Sequence, residues 1–239
     1  MPDLKVAIVT GASSGVGRAT AIRLYNQGYH VVLTARTVSR LIETEKLLGD
    51  RSRGDNKSLI VPADLADPTA GSLIIAQTLE QFGRIDVLAN VAGYAPRLPI
   101  NQIEPDILRQ CINVNLSGPV LLTAAAWPTL CEQQGGLIIN VSSLASLDPI
   151  DCFNIYATSK AGLNMFTHCT AQEGAEVGIR AVCIAPGAIE TPMLRKLFDT
   201  ESISKDQTLN PDQVAEFIED CVMGTRHFDS GKTITLPSP

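Results

Sequence analysis

Residues 10–17 read Thr-Gly-Ala-Ser-Ser-Gly-Val-Gly and follow directly on the apolar run Leu4-Lys5-Val6-Ala7-Ile8-Val9. A short buried strand that enters a glycine-rich turn, with the turn opening a helix, is a device for holding a mononucleotide. It commits the start of the chain to a βα unit. A continuous apolar strand of this kind fits a parallel sheet covered on both faces.

The rest of the chain repeats the pattern. Runs rich in Val, Ile and Leu recur at 4–10, 31–35, 58–62, 85–89, 137–142 and 180–185, and Thr233-Ile234-Thr235-Leu236 closes the series. Helical stretches lie between them at 15–28, 37–49, 69–82, 104–131, 153–177 and 211–222. This alternation predicts an α/β Rossmann fold, a doubly wound parallel sheet of about seven strands flanked by helices. Gly28 marks the end of the first helix, Pro68 the start of the third and Pro211 the first turn of the last. The polar segment 50–57 reads as a loop, and a length of 239 residues with 45% apolar content fits one domain over 1–239. The stretch 187–210 is the one long connection of weak pattern, and long loops beyond strand ends carry specificity.

Composition narrows the partners. The net charge is −6, from 25 acidic and 19 basic residues, which argues against nucleic acid or an anionic membrane. The longest apolar stretch, Val120 to Trp127, is too short to span a bilayer, and the amino terminus leads straight into a strand without a signal-peptide pattern. The expected location is the cytoplasm. Six cysteines without a Cys-x-x-Cys pair then read as reduced, mostly core thiols, and Cys152 as a lining residue rather than a nucleophile. His30, His168 and His227 form no ligand motif and read as helix-end or surface residues, so no metal is expected.

The three glycines of the turn serve different needs. Gly11 stands at the bend, Gly15 where backbone approaches pyrophosphate, and Gly17 where helix packs on strand. Val16 lies between the last two, while Thr10, Ser13 and Ser14 add hydroxyls beside a helix amino end suited to phosphate. The second strand ends without the carboxylate that NAD(H) sites use for the ribose. It ends instead at Arg36, whose guanidinium suits a 2′-phosphate and favours NADP(H); the plain alternative is a surface arginine. Asp64 and Leu65 follow the third strand and offer an acceptor and a packing surface to adenine. Asn90-Val91-Ala92-Gly93 follow the fourth, with small residues beside the adenine ribose. Ordinary strand-end turn chemistry describes these two segments equally well.

Tyr156 and Lys160 stand four apart in a helical stretch and share a face. A lysine ammonium near the phenol would lower its pKa, as acid–base work at neutral pH requires. Exposed helix decoration is the alternative for such a pair. Ser143, just beyond the fifth strand, offers a hydroxyl to a substrate oxygen, with Ser142 as its rival. Asn115 lies inside a long helix and is followed by Gly118-Pro119, which predicts a local irregularity there and a water held near Lys160.

Together these residues resemble the short-chain dehydrogenase/reductase family over nearly the whole chain. Residues 10–17 resemble its cofactor motif, and Asn90-Val91-Ala92-Gly93 its Asn-Asn-Ala-Gly motif with Val91 as a departure. Asn115, Ser143, Tyr156 and Lys160 match its catalytic tetrad, and Pro186-Gly187-Ala188-Ile189-Glu190-Thr191 its later Pro-Gly motif. The resemblance implies that Tyr156 exchanges a proton with the substrate oxygen, that Lys160 binds the nicotinamide ribose, and that Ile189 and Thr191 hold the carboxamide. It implies NADP(H) rather than NAD(H), a small carbonyl or secondary-alcohol substrate, and a homodimer or homotetramer. A 3-oxoacyl thioester is the alternative substrate, and a non-catalytic NADP(H) sensor the alternative function. Tyr94, Leu144, Pro149, Ile150, Phe153, Met193, Leu194 and Phe198 are candidates for an apolar substrate pocket, with core contacts as the plain alternative. Arg97 and Arg195 read as solvated surface or as contacts to an acidic substrate. The usual Asp-Gly-Gly ending is replaced by Leu236-Pro237-Ser238-Pro239.

Overall fold

The computed structural model describes residues 4–49 and 55–239, so most of the expected 50–57 loop lies outside the described residues. Seven strands form one parallel sheet: β1 (Val6–Thr10), β2 (His30–Ala35), β3 (Ser58–Pro62), β4 (Val87–Asn90), β5 (Gly136–Val141), β6 (Ile179–Pro186) and β7 (Thr233–Leu236). Their order is β3-β2-β1-β4-β5-β6-β7. The chain winds outward from β1 to β3, then crosses back to place β4 on the other side of β1. This reversal opens a crevice beyond the carboxyl ends of the strands, where α/β folds bind ligands.

The strands are apolar without alternation because both faces are covered. Val6 and Ile8 of β1 turn to one layer with Val32, Leu88 and Ile138. That layer is completed by Ile74 of α3 (Ala70–Phe82) and by Leu122, Ala126 and Leu130 of α5 (Gly118–Glu132). Ala7 and Val9 turn to the other, against Ala21 and Leu24 of α1 (Gly15–Asn26) and Leu41 of α2 (Val38–Lys46). Val214, Phe217 and Ile218 of α8 (Pro211–Met223) cover Val182 and Ile184 of β6. Each such side chain removed from water contributes about 1.5–3 kcal/mol.

The helices at the crevice depart from the sequence expectation in informative ways. The helix expected over 104–131 is α4 (Pro105–Ile112), a π-helical turn at Asn113–Ser117, and α5. The expected irregularity therefore sits at Asn115 itself. The helix expected over 153–177 is α6 (Asn154–Gly174) with a terminal 3₁₀ turn at Ala175–Val177. Within 187–210 lie α7 (Pro192–Leu197), a 3₁₀ turn at Lys205–Gln207 and a parallel bridge between Ile189 and Leu209. Pro68 precedes α3 rather than starting it, because the Asp67 carboxylate accepts from both the amide and the hydroxyl of Thr69 and holds a turn there. His30 opens β2 instead of ending a helix, accepts from the Lys57 amide at Nδ1 (2.8 Å) and stacks on Phe82.

Candidate active site

The glycine turn, Arg36, Asp64, Asn90–Gly93, Ser143 and Pro186–Thr191 all lie at or just beyond carboxyl ends of strands. In the turn, Gly11 has φ +70°, which an L side chain rarely adopts. A Cβ on Gly17 would stand 2.3 Å from the Gly11 carbonyl oxygen, so only glycine lets α1 start this close to β1. A Cβ on Gly15 would stand 3.1 Å from Cγ2 of Thr191, which brings the first and last sequence motifs into contact. Val16 is buried beneath the turn among the α8 residues. Ser14 is the N-cap of α1 and makes no capping hydrogen bond with its side chain, leaving the first amides of the helix open to an anion.

Thr10 corrects one expectation. Its hydroxyl is buried and accepts from the amides of Val91 (2.9 Å) and Ala92 (3.0 Å), so it ties two loops together and is not offered to phosphate. Asn90 also turns inward: its side-chain amide donates to Asn140 Oδ1 on β5 (2.8 Å). Ala92 packs on the turn, and Gly93 leaves space that a Cβ would fill 3.7 Å from Lys160 Nζ. Asp64 is exposed and accepts from the Ala66 amide at one oxygen, while Leu65 is buried against Gly118. Arg36 is exposed, and among the described residues no hydrogen bond or ion pair engages it.

Tyr156 and Lys160 share one face of α6 with the ammonium 6.0 Å from the phenol ring centroid. Lys160 is 3% exposed and donates to the Val141 carbonyl (2.7 Å). Burial pulls its pKa down to about 8, against the opposing pull of Cys183 and Cys111. The Tyr156 phenol is held above its ordinary pKa, chiefly by burial, with the Ser143 hydroxyl acting in the other direction. This corrects the expected lowering by Lys160: the ammonium donates to the Val141 carbonyl, and desolvation is the largest influence on the phenol. The two serines differ in their surroundings. Ser142 is buried and bonds the Lys160 carbonyl and Ser146, whereas Ser143 faces the phenol.

Asn115 is fully buried, and its side-chain amide ties the Tyr94 segment to α6. Oδ1 accepts from the Tyr94 amide (2.7 Å), while Nδ2 donates to the Tyr94 carbonyl (2.8 Å) and to Ser159 Oγ (2.9 Å). Both amide donors are thus committed. Ser159, which sequence reasoning misses, passes the chain of bonds on to the Tyr156 carbonyl (2.7 Å). Arg18 and Thr44 escape it too: Arg18 donates to the Ser13 carbonyl (2.7 Å) and to Thr44, which in turn bonds the Ala12 carbonyl, bracing the turn against α2. Nothing in the local sequence announces that brace.

On the later motif, the Gly187 amide donates to the Leu236 carbonyl, and a Cβ there would meet Ser238 at 2.8 Å. Pro186 ends β6, Ile189 pairs with Leu209, and Thr191 caps α7 by accepting from the Leu194 amide (3.2 Å). Arg195 is not free surface. It forms a two-pronged ion pair with Glu190 and donates to the carbonyls of Asp199 and Ile203, stapling this loop. Among the described residues no group of His, Cys, Asp and Glu is placed to hold a metal ion, and no helix is long and apolar enough to cross a membrane.

The family model described as short chain dehydrogenase matches residues 5–202. The chain belongs to the short-chain dehydrogenase family. An uncharacterized oxidoreductase of Staphylococcus saprophyticus is 35% identical over 215 residues, which cover 89% of this chain and 88% of the relative. The 3-ketoacyl-(acyl-carrier-protein) reductase of Brucella melitensis, solved with NADH, superimposes with a TM-score of 0.88 at 26% identity, over 98% of this chain and 96% of that one. A metagenomic short-chain oxidoreductase solved with NADP superimposes with a TM-score of 0.81 at 30% identity, over 97% of both chains. This short-chain dehydrogenase is therefore an oxidoreductase built for a nicotinamide cofactor. Its own residues fit one: a glycine cradle under an open helix end, a serine cap with an uncommitted hydroxyl, and a gap at Gly93 beside Lys160.

Proposed function

We propose that this short-chain dehydrogenase is an NADPH-dependent carbonyl reductase, acting in reverse as a secondary-alcohol dehydrogenase. The observation that carries the reading is the Tyr156 phenol, faced by Ser143 and one helical turn from the buried Lys160, at the crevice where the strand order reverses. When bound, the nicotinamide would supply a hydride for the carbonyl carbon. Ser143 donates a hydrogen bond to the carbonyl oxygen and supports the charge that builds there. Tyr156 gives its proton to that oxygen, which yields the alcohol and leaves a phenolate. Lys160 would hold the nicotinamide ribose and steady the phenolate, and solvent restores the proton. The Tyr156 phenol carries its proton at neutral pH, the state that reduction requires.

The turn from Gly11 through Ser13, Ser14, Gly15, Val16 and Gly17 would hold the pyrophosphate. Asp64 and Leu65 would take the adenine, the segment Asn90 to Gly93 its ribose, and Pro186, Gly187, Ile189 and Thr191 the nicotinamide. The exposed and unengaged Arg36 supports NADP(H) over NAD(H) through the 2′-phosphate. The same reading includes a single domain, a cytoplasmic location and a homodimer or homotetramer. Leu108, Leu121 and Met165, left exposed on α4, α5 and α6, support such pairing.

The test follows oxidation of NADPH and NADH over a panel of ketones and aldehydes. Wild-type turnover should fall about 100-fold or more in Tyr156→Phe. Arg36→Asp should weaken NADPH binding more than NADH binding. Turnover that survives in Tyr156→Phe would refute the assignment, and equal loss of both cofactors would refute the role of Arg36.

A further inference from the structure

From the catalytic phenol an aromatic path leads outward. The Tyr156 ring meets Phe153 edge to face, with centroids 5.6 Å apart and planes at 68°. Phe153 in turn lies parallel to Phe198, at 6.0 Å and 8°. The Arg97 guanidinium sits over Phe198, 4.7 Å from its centroid. These residues come from three separate segments. Arg97 follows β4, Phe153 precedes α6 and Phe198 follows α7. The Arg97 segment is fixed from behind: the Leu98 amide donates to the Cys152 carbonyl (2.8 Å), and the Asn154 amide to the Leu98 carbonyl (3.2 Å).

Arg97 is exposed, and among the described residues no carboxylate pairs with it. In a chain with net charge −6, Arg18, Arg23, Arg84, Arg109, Arg195 and Arg226 each have one. A guanidinium stacked on a ring keeps its N–H edge for other acceptors, and its fork matches a carboxylate with two parallel bonds. We infer that the substrate is a carbonyl compound with a carboxylate remote from the reacting carbon. The stack of Phe153 on Phe198 holds the Arg97 guanidinium in place, and Arg97 reads the carboxylate. This rests on the carbonyl-reductase reading and assigns its substrate class.

The probes are para-acetylbenzoate and its methyl ester, which share ring and ketone and differ in charge. Binding to the enzyme–NADP⁺ complex is measured by calorimetry, so that no turnover intervenes. Wild type should bind the carboxylate about tenfold more tightly than the ester, as one charge-assisted contact allows. Arg97→Gln should erase that difference and leave ester affinity unchanged, while Arg97→Lys should restore part of it. Equal affinities in wild type, binding of neither probe, or a preference that survives in Arg97→Gln would overturn the inference. So would a parallel loss for both probes, which would make Arg97 a latch on Phe198. NADPH oxidation is followed in parallel: a carboxylate preference without turnover would keep the anion site and refute the reductase reading, whereas turnover without preference would do the reverse.

Discussion

Lys160 shows what a functional side chain costs the fold. It is 3% exposed, with one hydrogen bond to the Val141 carbonyl. In the unfolded chain it holds its proton up to about pH 10.5, but in the folded chain only up to about pH 8. Below pH 8 both states are charged and the folded one bears the full desolvation penalty. Between the two values the unfolded state binds more protons, so stability rises with pH and the penalty fades. A shift of this size corresponds to about 3 kcal/mol, of which the lost Val141 bond would return about 1 kcal/mol. Lys160→Met should therefore be about 2 kcal/mol more stable than wild type at pH 7, with the gap closing above pH 10, while NADPH turnover is lost. Urea unfolding at the two pH values measures it. A variant less stable than wild type at pH 7 would show that the ammonium is a net asset to the fold.

At the scale of elements, the end of β5 is positioned by a half-buried relay that the tetrad does not include. Asn164 Nδ2 donates to Ser146 Oγ (2.8 Å), and Ser146 Oγ donates to the Ser143 carbonyl (2.6 Å). Asn164 Oδ1 accepts from the Cys183 thiol (3.2 Å). The relay joins α6, the 3₁₀ turn Leu144–Ser146 and β6 around the serine that faces Tyr156. Asn164→Leu and Ser146→Ala should each lower kcat about tenfold with little change in the KM for NADPH, and the double variant should lose no more than either one. Additive losses would mean two separate structural effects. Asn164 was legible in principle, since it lies four residues beyond Lys160 and eight beyond Tyr156 on one helical face. The strands were legible because burial on both faces makes them continuously apolar, and the break at Asn115 because Gly118-Pro119 follows it. α7 was not: none of its six residues is buried, so it carries no apolar period. Nor was the Arg195 staple, because Glu190 and the carbonyls of Asp199 and Ile203 converge on it only once the loop is folded.

Across the whole molecule, stability is uneven in a way that suits the chemistry. Sequence pattern predicts a parallel sheet but not which strands meet. The reversal that places β4 beside β1 arises from pairing between residues some eighty positions apart, such as Ile8 with Leu88. β1 is consequently central, hydrogen-bonded on both edges and buried throughout, whereas Pro192–Leu197 rests on its cap, the Arg195 staple and the Phe198 stack. Segments with little buried apolar area open locally at low free energy, while central strands open only with the whole molecule. Hydrogen–deuterium exchange should therefore find Val6–Thr10 and Val87–Asn90 exchanging only through global unfolding, with the α7 amides faster by orders of magnitude. NADPH should slow exchange across 187–198, since Thr191 packs against Gly15 at the edge of the cradle. Protection of α7 equal to that of β1 without cofactor would mean a rigid, preformed loop. Protection unchanged by NADPH would separate this loop from the cofactor and withdraw Ile189 and Thr191 from the nicotinamide site. A gain confined to 187–198 would instead show the loop tightening over the cofactor, with the stack of Phe198 on Phe153 already in place beside Tyr156 before substrate arrives.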